Sequence, residues 1–272
     1  MEKTDVHKTV SKDYARMLQE SSKQTSCCGS PTGAGLISTL AGYEPQPQHE
    51  EAAAQSFGCG NPLAFADIQP GQTVLDLGSG AGLDLILAAE RVGPSGRVIG
   101  IDMTQEMIDK AMENVARAGH ANVEVRMGMI EQMPVEDQSV DWVISNCVIN
   151  LSPEKDRVFS EIARVLKPGG RFSISDIVVE DLPGFLRDNA ALYSACVAGA
   201  ISEQTYLDGL RQAGLEGLEV TERLVYDESQ IVALISCEIP GLELSEDLIR
   251  EVAPTVTGKV WSAKFAGRMA GG

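Results

Sequence analysis

The chain is poor in histidine: His7, His49 and His120 are the only three in 272 residues. All lie in polar surroundings outside the predicted core strands, so solvated surface side chains are expected and a histidine general base is not. Basic residues are also scarce, with 22 Lys and Arg against 39 Asp and Glu and a formal net charge of −17. That balance excludes nonspecific nucleic-acid binding and attraction to an anionic membrane. No apolar run reaches the roughly 18 residues of a membrane span. The opening MEKTDVHKTV is polar where a secretory signal is apolar. These two absences point to the cytoplasm. The six cysteines include no C-x-x-C pair, which argues against a zinc ribbon or finger, and they read as reduced thiols rather than a disulfide framework. There is no internal repeat.

What is present is the composition of a soluble globular protein, 43% hydrophobic and 22% charged. Val6, Val10, Tyr14, Met17 and Leu18 recur at helical spacing, predicting an amphipathic helix over 4–20. The Gly-, Ser-, Pro- and Gln-rich segment from Ser26 to His49 reads as a connection, and it carries Cys27 and Cys28. From 51 to 180 strands and helices alternate: strands at 73–77, 98–102, 123–127, 140–146 and 171–178, helices near 84–92, 104–118 and 154–166. The second helix takes Thr104 as N-cap and Met107, Ile108, Ala111, Met112 and Val115 as its apolar face. The third follows a Ser152-Pro153 start. Beyond 180 the pattern gives helices at about 185–198, 202–213 and 227–236, with strands near 218–226 and 259–269. The expected architecture is α/β: a doubly wound, mainly parallel sheet with an N-terminal helical segment (1–50), a central ligand-binding domain (51–180) and a C-terminal region completing the sheet (181–272). Ligands of such sheets collect beyond the carboxyl ends of the strands.

The organising stretch is TVLDLGSGAG, Thr73 to Gly82, with Asp102 closing the next strand. A strand, three glycines at alternate positions and a helix allow a ligand close to the main chain. A dinucleotide fingerprint would need a small third residue where Leu83 stands. The pattern instead resembles the first motif of S-adenosylmethionine-dependent methyltransferases of class I, with a Rossmann-like fold. Asp76 would then help hold the amino-acid tail of the cofactor and Asp102 its ribose. Gly78, Ser79, Gly80 and Met103 would line the same site.

Three cysteines come from segments that can overhang one sheet edge. Cys59 sits between glycines in FGCGNP, Cys147 follows the fourth strand in SNCVINLSP beside Asn146, and Cys196 lies in CVAGA. Taken alone, a cysteine after a buried strand is as well read as a small core residue. Together with LDLGSGAGLD, GIDMT, GMIEQMP and VLKPGG, these segments are similar to the arsenite S-adenosylmethionine methyltransferases over about residues 10 to 270. The resemblance implies that Cys59, Cys147 and Cys196 bind trivalent arsenic, that Cys27 or Cys28 joins a redox cycle, and that 181–272 holds a substrate-binding insertion. It places Phe57, Gly58 and Asn146 at the cofactor and leaves adenine to Ile130 and Glu131, because Met129 stands where many class-I enzymes carry an aspartate. Phe57 replaces the tyrosine common in the family. Longer relatives carry a further C-terminal domain, which this sequence is expected to lack.

Soft trivalent arsenic prefers thiolates to imidazole or carboxylate. The implied reaction converts arsenite to methylated arsenicals, two thiolates returning arsenic to the trivalent state by forming a disulfide. Thioredoxin or glutathione would be the external reductant. Two alternatives share parts of this pattern. One is a class-I methyltransferase acting on a small organic acceptor, which does not need the three cysteines. The other is a non-enzymatic, cysteine-based metalloid-binding protein, which does not need Asp76, the glycines and Asp102.

Overall fold

The structure is a computed structural model that describes residues 3–21, 52–53, 61–63, 66–181, 197–236 and 253–271. Within them seven strands form one sheet: β1 (Thr73–Leu77), β2 (Arg97–Asp102), β3 (Val123–Met127), β4 (Val140–Asn146), β5 (Leu166–Val179), β6 (Leu215–Val225) and β7 (Val260–Met269). Their order is β3-β2-β1-β4-β5-β7-β6. The first five run parallel, and β7 enters antiparallel between β5 and β6. Among the described residues, the helices beside the sheet include α2 (Leu83–Val92), α3 (Gln105–Ala118), α4 (Lys155–Val165), α5 (Glu203–Gln212) and α6 (Glu228–Ser236). The helix α1 (Lys3–Ser21) precedes them and lies at the carboxyl end of the sheet against α3.

Alternation along the strands sends successive side chains to opposite faces. Val74, Val98, Trp142 and Ile144 pack with α2 and α3, while Leu75, Leu77, Ile99, Ile101 and Val143 pack with α4 and α5. On the second face Tyr206 is fully buried, stacked on Phe265 at 4.2 Å between ring centroids and tilted against Phe159 at 5.1 Å. A third cluster joins Val6 and Val10 of α1 to Cys147, Leu151, Ile177 and Val197. The chain runs outward from β1 through β2 to β3, then returns to the other side of β1 to form β4. The crevice between β1 and β4 is therefore the switch point where ligands of open parallel sheets bind.

Several expectations change. β5 begins at Leu166 rather than 171, because the Lys167–Gly170 tract is accommodated by a register shift opposite Val140 and Trp142. Thr104 precedes α3 but makes no side-chain cap; its hydroxyl donates to Ser11 of α1 at 3.1 Å. Met112 is 40% exposed, and Asn114 takes the buried place, donating to the Ala81 carbonyl at 2.9 Å. The cap of α4 falls on Glu154, whose N–H donates to Ser152 Oγ at 3.1 Å. Most of the helix expected at 185–198 lies outside the described residues, and 197–200 form a turn. Among the described residues no helix is long and apolar enough to cross a membrane.

Candidate active site

The turn after β1 is held by its backbone. Gly78, Gly80 and Gly82 have φ of +63°, +50° and +90°, the left-handed region that side chains disfavour. A Cβ on Gly78 would lie 2.4 Å from Val148, whereas one on Gly80 would meet nothing within 4 Å. Gly78 is thus needed for packing and Gly80 opens onto free space. The Ser79 N–H donates to the Ile101 carbonyl at 3.0 Å, and the Gly80 N–H donates to Asp102 Oδ2 at 3.0 Å. Asp102 Oδ1 accepts from the Thr104 N–H at 2.9 Å. Burial pushes the Asp102 carboxyl upward, opposed by these backbone donors.

Around this turn opens a cleft of about 950 Å³, counted to its solvent mouth. Its described lining comes from the glycine turn, the ends of β2 and β4, the turn after β3, the segment 147–152, and His7, Val10 and Tyr14 of α1. Gly78, Ser79, Gly80, Asp102, Met103, Ile130, Glu131, Asn146 and Cys147 all reach it. The expected site residue Asp76 does not. It is 2% exposed beneath the turn, and burial first, then the negative charges of Asp84 and Asp102, hold its carboxyl well above the ordinary range. The lining carboxylate on that side is Asp84, which accepts from Asn146 Nδ2 at 3.4 Å.

The lining therefore carries Asp84, Asp102 and Glu131 and, among the described residues, no lysine or arginine. Such a cleft disfavours a pyrophosphate and favours a cationic ligand that relieves the mutual repulsion of the carboxylates. Ser79 Oγ and Glu131 Oε2 are buried on this lining without a hydrogen-bond partner among the described residues, ready for donors from a ligand. S-adenosylmethionine, with its sulfonium, ammonium, ribose hydroxyls and amino-purine, suits this set.

Cys147 is 2% exposed at the cleft edge, and its φ of +59° is left-handed. A non-glycine residue held there stores strain, a feature found at functional positions. Its N–H donates to the Ser175 carbonyl at 2.8 Å. Below it Asp176 accepts from Ile177 N–H, Asn150 N–H and the Tyr206 hydroxyl at 3.0, 3.2 and 3.3 Å, and burial pushes its carboxyl to about 7. Asn150 Nδ2 donates to the Ile177 carbonyl at 2.6 Å, so this residue braces the loop. Cys27, Cys28, Phe57, Gly58, Cys59 and Cys196 lie outside the described residues.

His7 corrects an expectation. Rather than a solvated side chain, it is 22% exposed on the cleft lining, with Nε2 2.9 Å from Glu131 Oε1, an oxygen that Ser152 Oγ also contacts. Its position follows from α1 packing across the sheet end, 124 residues away in sequence, so no local signal marks it. Tyr14 enters the lining for the same reason, and Ser152 enters it from the segment after β4. Asp84 stood in the quoted glycine motif but was not singled out.

The fold and cleft define a class-I methyltransferase. The family described as "Methyltransferase domain" matches residues 68–214. The arsenite methyltransferase of Halobacterium salinarum is 50% identical over 206 residues, 75% of this chain and 52% of that protein. The human arsenite methyltransferase is 35% identical over 208 residues, 72% of this chain and 54% of that protein. The crystal structure of the arsenic(III) S-adenosylmethionine methyltransferase of Chlamydomonas reinhardtii superposes with a TM-score of 0.64 at 32% identity, covering 89% of this chain and 74% of that one. The chain belongs to the methyltransferase-domain family and, within it, to the arsenic(III) S-adenosylmethionine methyltransferases. It spans about half the length of the two curated relatives described here.

Proposed function

We propose that this chain transfers methyl groups from S-adenosylmethionine to trivalent arsenic held by cysteine thiolates. The observation that carries the reading is the Cys147 thiol, held on a strained turn on a cleft whose described lining has carboxylates and no lysine or arginine. The names and similarity of the relatives support the same substrate. The cofactor supplies an electrophilic methyl group on a sulfonium. Asp102 would hold the ribose, Glu131 and the Ile130 backbone the adenine, and Ser79, Gly80 and Asp84 the amino-acid end. Cys59, Cys147 and Cys196 would bind arsenic as a pyramid of three sulfurs. That leaves a lone pair on arsenic as the nucleophile, so no side chain has to remove a proton at the transfer step. The chain contributes orientation, an effect that can supply on the order of 7–11 kcal/mol.

Methyl transfer raises arsenic to the pentavalent state. Two thiolates return the two electrons by forming a disulfide, with Cys27 or Cys28 as the resolving thiol, and an external dithiol or glutathione reduces that disulfide.

The test is product speciation after incubation with arsenite, S-adenosylmethionine and a thiol. Methylated arsenicals are expected. Cofactor turnover with small organic acceptors but none with arsenite would overturn the substrate. Arsenite binding without cofactor binding in calorimetry would overturn the enzyme.

A further inference from the structure

The Glu131 carboxylate is 6% exposed and unevenly used. Its Oε1 meets both Ser152 Oγ and His7 Nε2, the latter at 2.9 Å. Carboxylate oxygens accept, so the proton of the His7 contact sits on Nε2. Its Oε2 is buried on the cleft lining, without a partner among the described residues. Leaving a buried charged oxygen unsatisfied is costly unless a ligand supplies a donor. The two donors come from different elements, Ser152 from the segment after β4 and His7 from α1, and together they fix which oxygen remains.

Met103 and Ile130 lie on the same lining, and Asp102 stands at the neighbouring strand end. Apolar side chains beside an open carboxylate oxygen, one strand beyond a ribose-type carboxylate, suit a purine bearing an exocyclic amine. We propose that His7 is a positioning residue for base recognition: by holding Oε1 of Glu131 from α1, it presents Oε2 to the amine of the bound adenine. This rests on the cofactor reading above and adds that the N-terminal helix, as well as the strand ends, sets nucleoside specificity.

The test uses calorimetry on the full chain with two probes. S-adenosylhomocysteine carries the amine, and S-inosylhomocysteine has a carbonyl in its place. A hydrogen bond to a charged group predicts that the unaltered chain prefers the adenosyl form by about 10- to 100-fold. Glu131→Gln should abolish or reverse that preference, since His7 and Ser152 hold its carbonyl oxygen and turn its NH2, a donor, toward the base. His7→Ala should remove most of the preference, and His7→Gln, whose amide mimics Nε2–H, should restore it. Ser11→Ala, which loses the α1 contact to Thr104, should leave it intact. If His7→Ala fails to fold, His7→Asn, with its shorter amide, takes its place.

The proposal is overturned if the first His7 variant keeps the full preference, if His7→Gln does not restore it, or if Ser11→Ala erodes it equally, which would mark general helix docking. A preference that survives Glu131→Gln overturns the proposal but leaves the cofactor reading standing. No binding of S-adenosylhomocysteine to the unaltered chain overturns both.

Discussion

The two walls of the cleft are built on different principles. The wall from β1 to Asp102 is made of consecutive residues: a strand, a glycine turn whose N–H groups are tied to Ile101 and Asp102, and the start of α2. The opposite wall is assembled from distant pieces, with His7 and Tyr14 of α1, Glu131 after β3, and Cys147 and Ser152 after β4. The first is cofactor chemistry that many methyltransferases can share. On the proposed reading, the second would combine the base contacts with the Cys147 thiol that meets the acceptor. Separable walls imply separable losses.

The largest effect should come from Cys147→Ser. A hard hydroxyl replacing a soft thiolate should lower arsenite methylation by more than the roughly 10- to 100-fold typical of losing an outer-shell partner. Binding of S-adenosylhomocysteine should change little, because the ribose and base contacts are untouched. Rate measurements with product speciation, set beside calorimetry, check both halves. A parallel loss of cofactor binding would show that the walls are not independent.

Within the first wall, two glycines should part company. Gly78→Ala places a Cβ 2.4 Å from Val148 at φ +63°. The left-handed backbone alone costs about 1–2 kcal/mol, and the clash adds to it. Gly80→Ala has φ +50° but no neighbour within 4 Å, so its stability cost should stop at the backbone term. Its Cβ points into ligand space, however, so cofactor affinity should fall more than the melting temperature suggests. Thermal unfolding with and without S-adenosylhomocysteine separates the two.

This contrast also explains what the sequence made legible. The strands β1 to β4, the glycine turn and Asp102 are local, and their apolar periodicity and glycine spacing carry over into the order β3-β2-β1-β4 directly. Cys147 stands out in the sequence by its place at a strand end and by resemblance, and the fold puts it on the cleft lining. His7 was read as a surface side chain because its burial depends on where α1 lands, which no spacing within α1 encodes. The motif's resemblance to class-I methyltransferases puts Asp76 at the amino-acid tail of the cofactor. Alternation instead leaves it beneath the turn, with Asp84 on the cleft lining.

Beneath the thiol wall, Asp176 offers a pH test. Its folded carboxyl titrates at about 7 against an ordinary value of 3.8, chiefly through burial. Between those values the native state keeps a proton that the unfolded chain has released. Its contribution to stability therefore falls as pH rises across that window, by at most about 1.4 kcal/mol per pH unit, and levels off above the folded value. Asp176→Asn should flatten this part of the stability profile in denaturant titrations at several pH values. The raised carboxyls of Asp76 and Asp102 act in the same direction, so a shallower slope should persist. An unchanged slope would mean that Asp176 is already charged near pH 5.

The smallest effects lie on α3 and test whether the first wall depends on its support. Asn114 is 4% exposed and donates to the Ala81 carbonyl within the glycine turn. Asn114→Ala leaves that buried carbonyl without this donor, at a cost of about 1–3 kcal/mol. It should also loosen the turn enough to weaken cofactor binding. Met112, two residues earlier and 40% exposed, sits on the solvent side although its spacing reads as core. Met112→Gln should stay within about 0.5 kcal/mol, the usual range for surface substitutions. The pair can be compared by thermal melts and calorimetry in one host. A larger loss at Met112 than at Asn114 would place the apolar face of α3 where its periodicity first put it, and the turn would then depend on hydrophobic packing rather than on the Asn114 hydrogen bond.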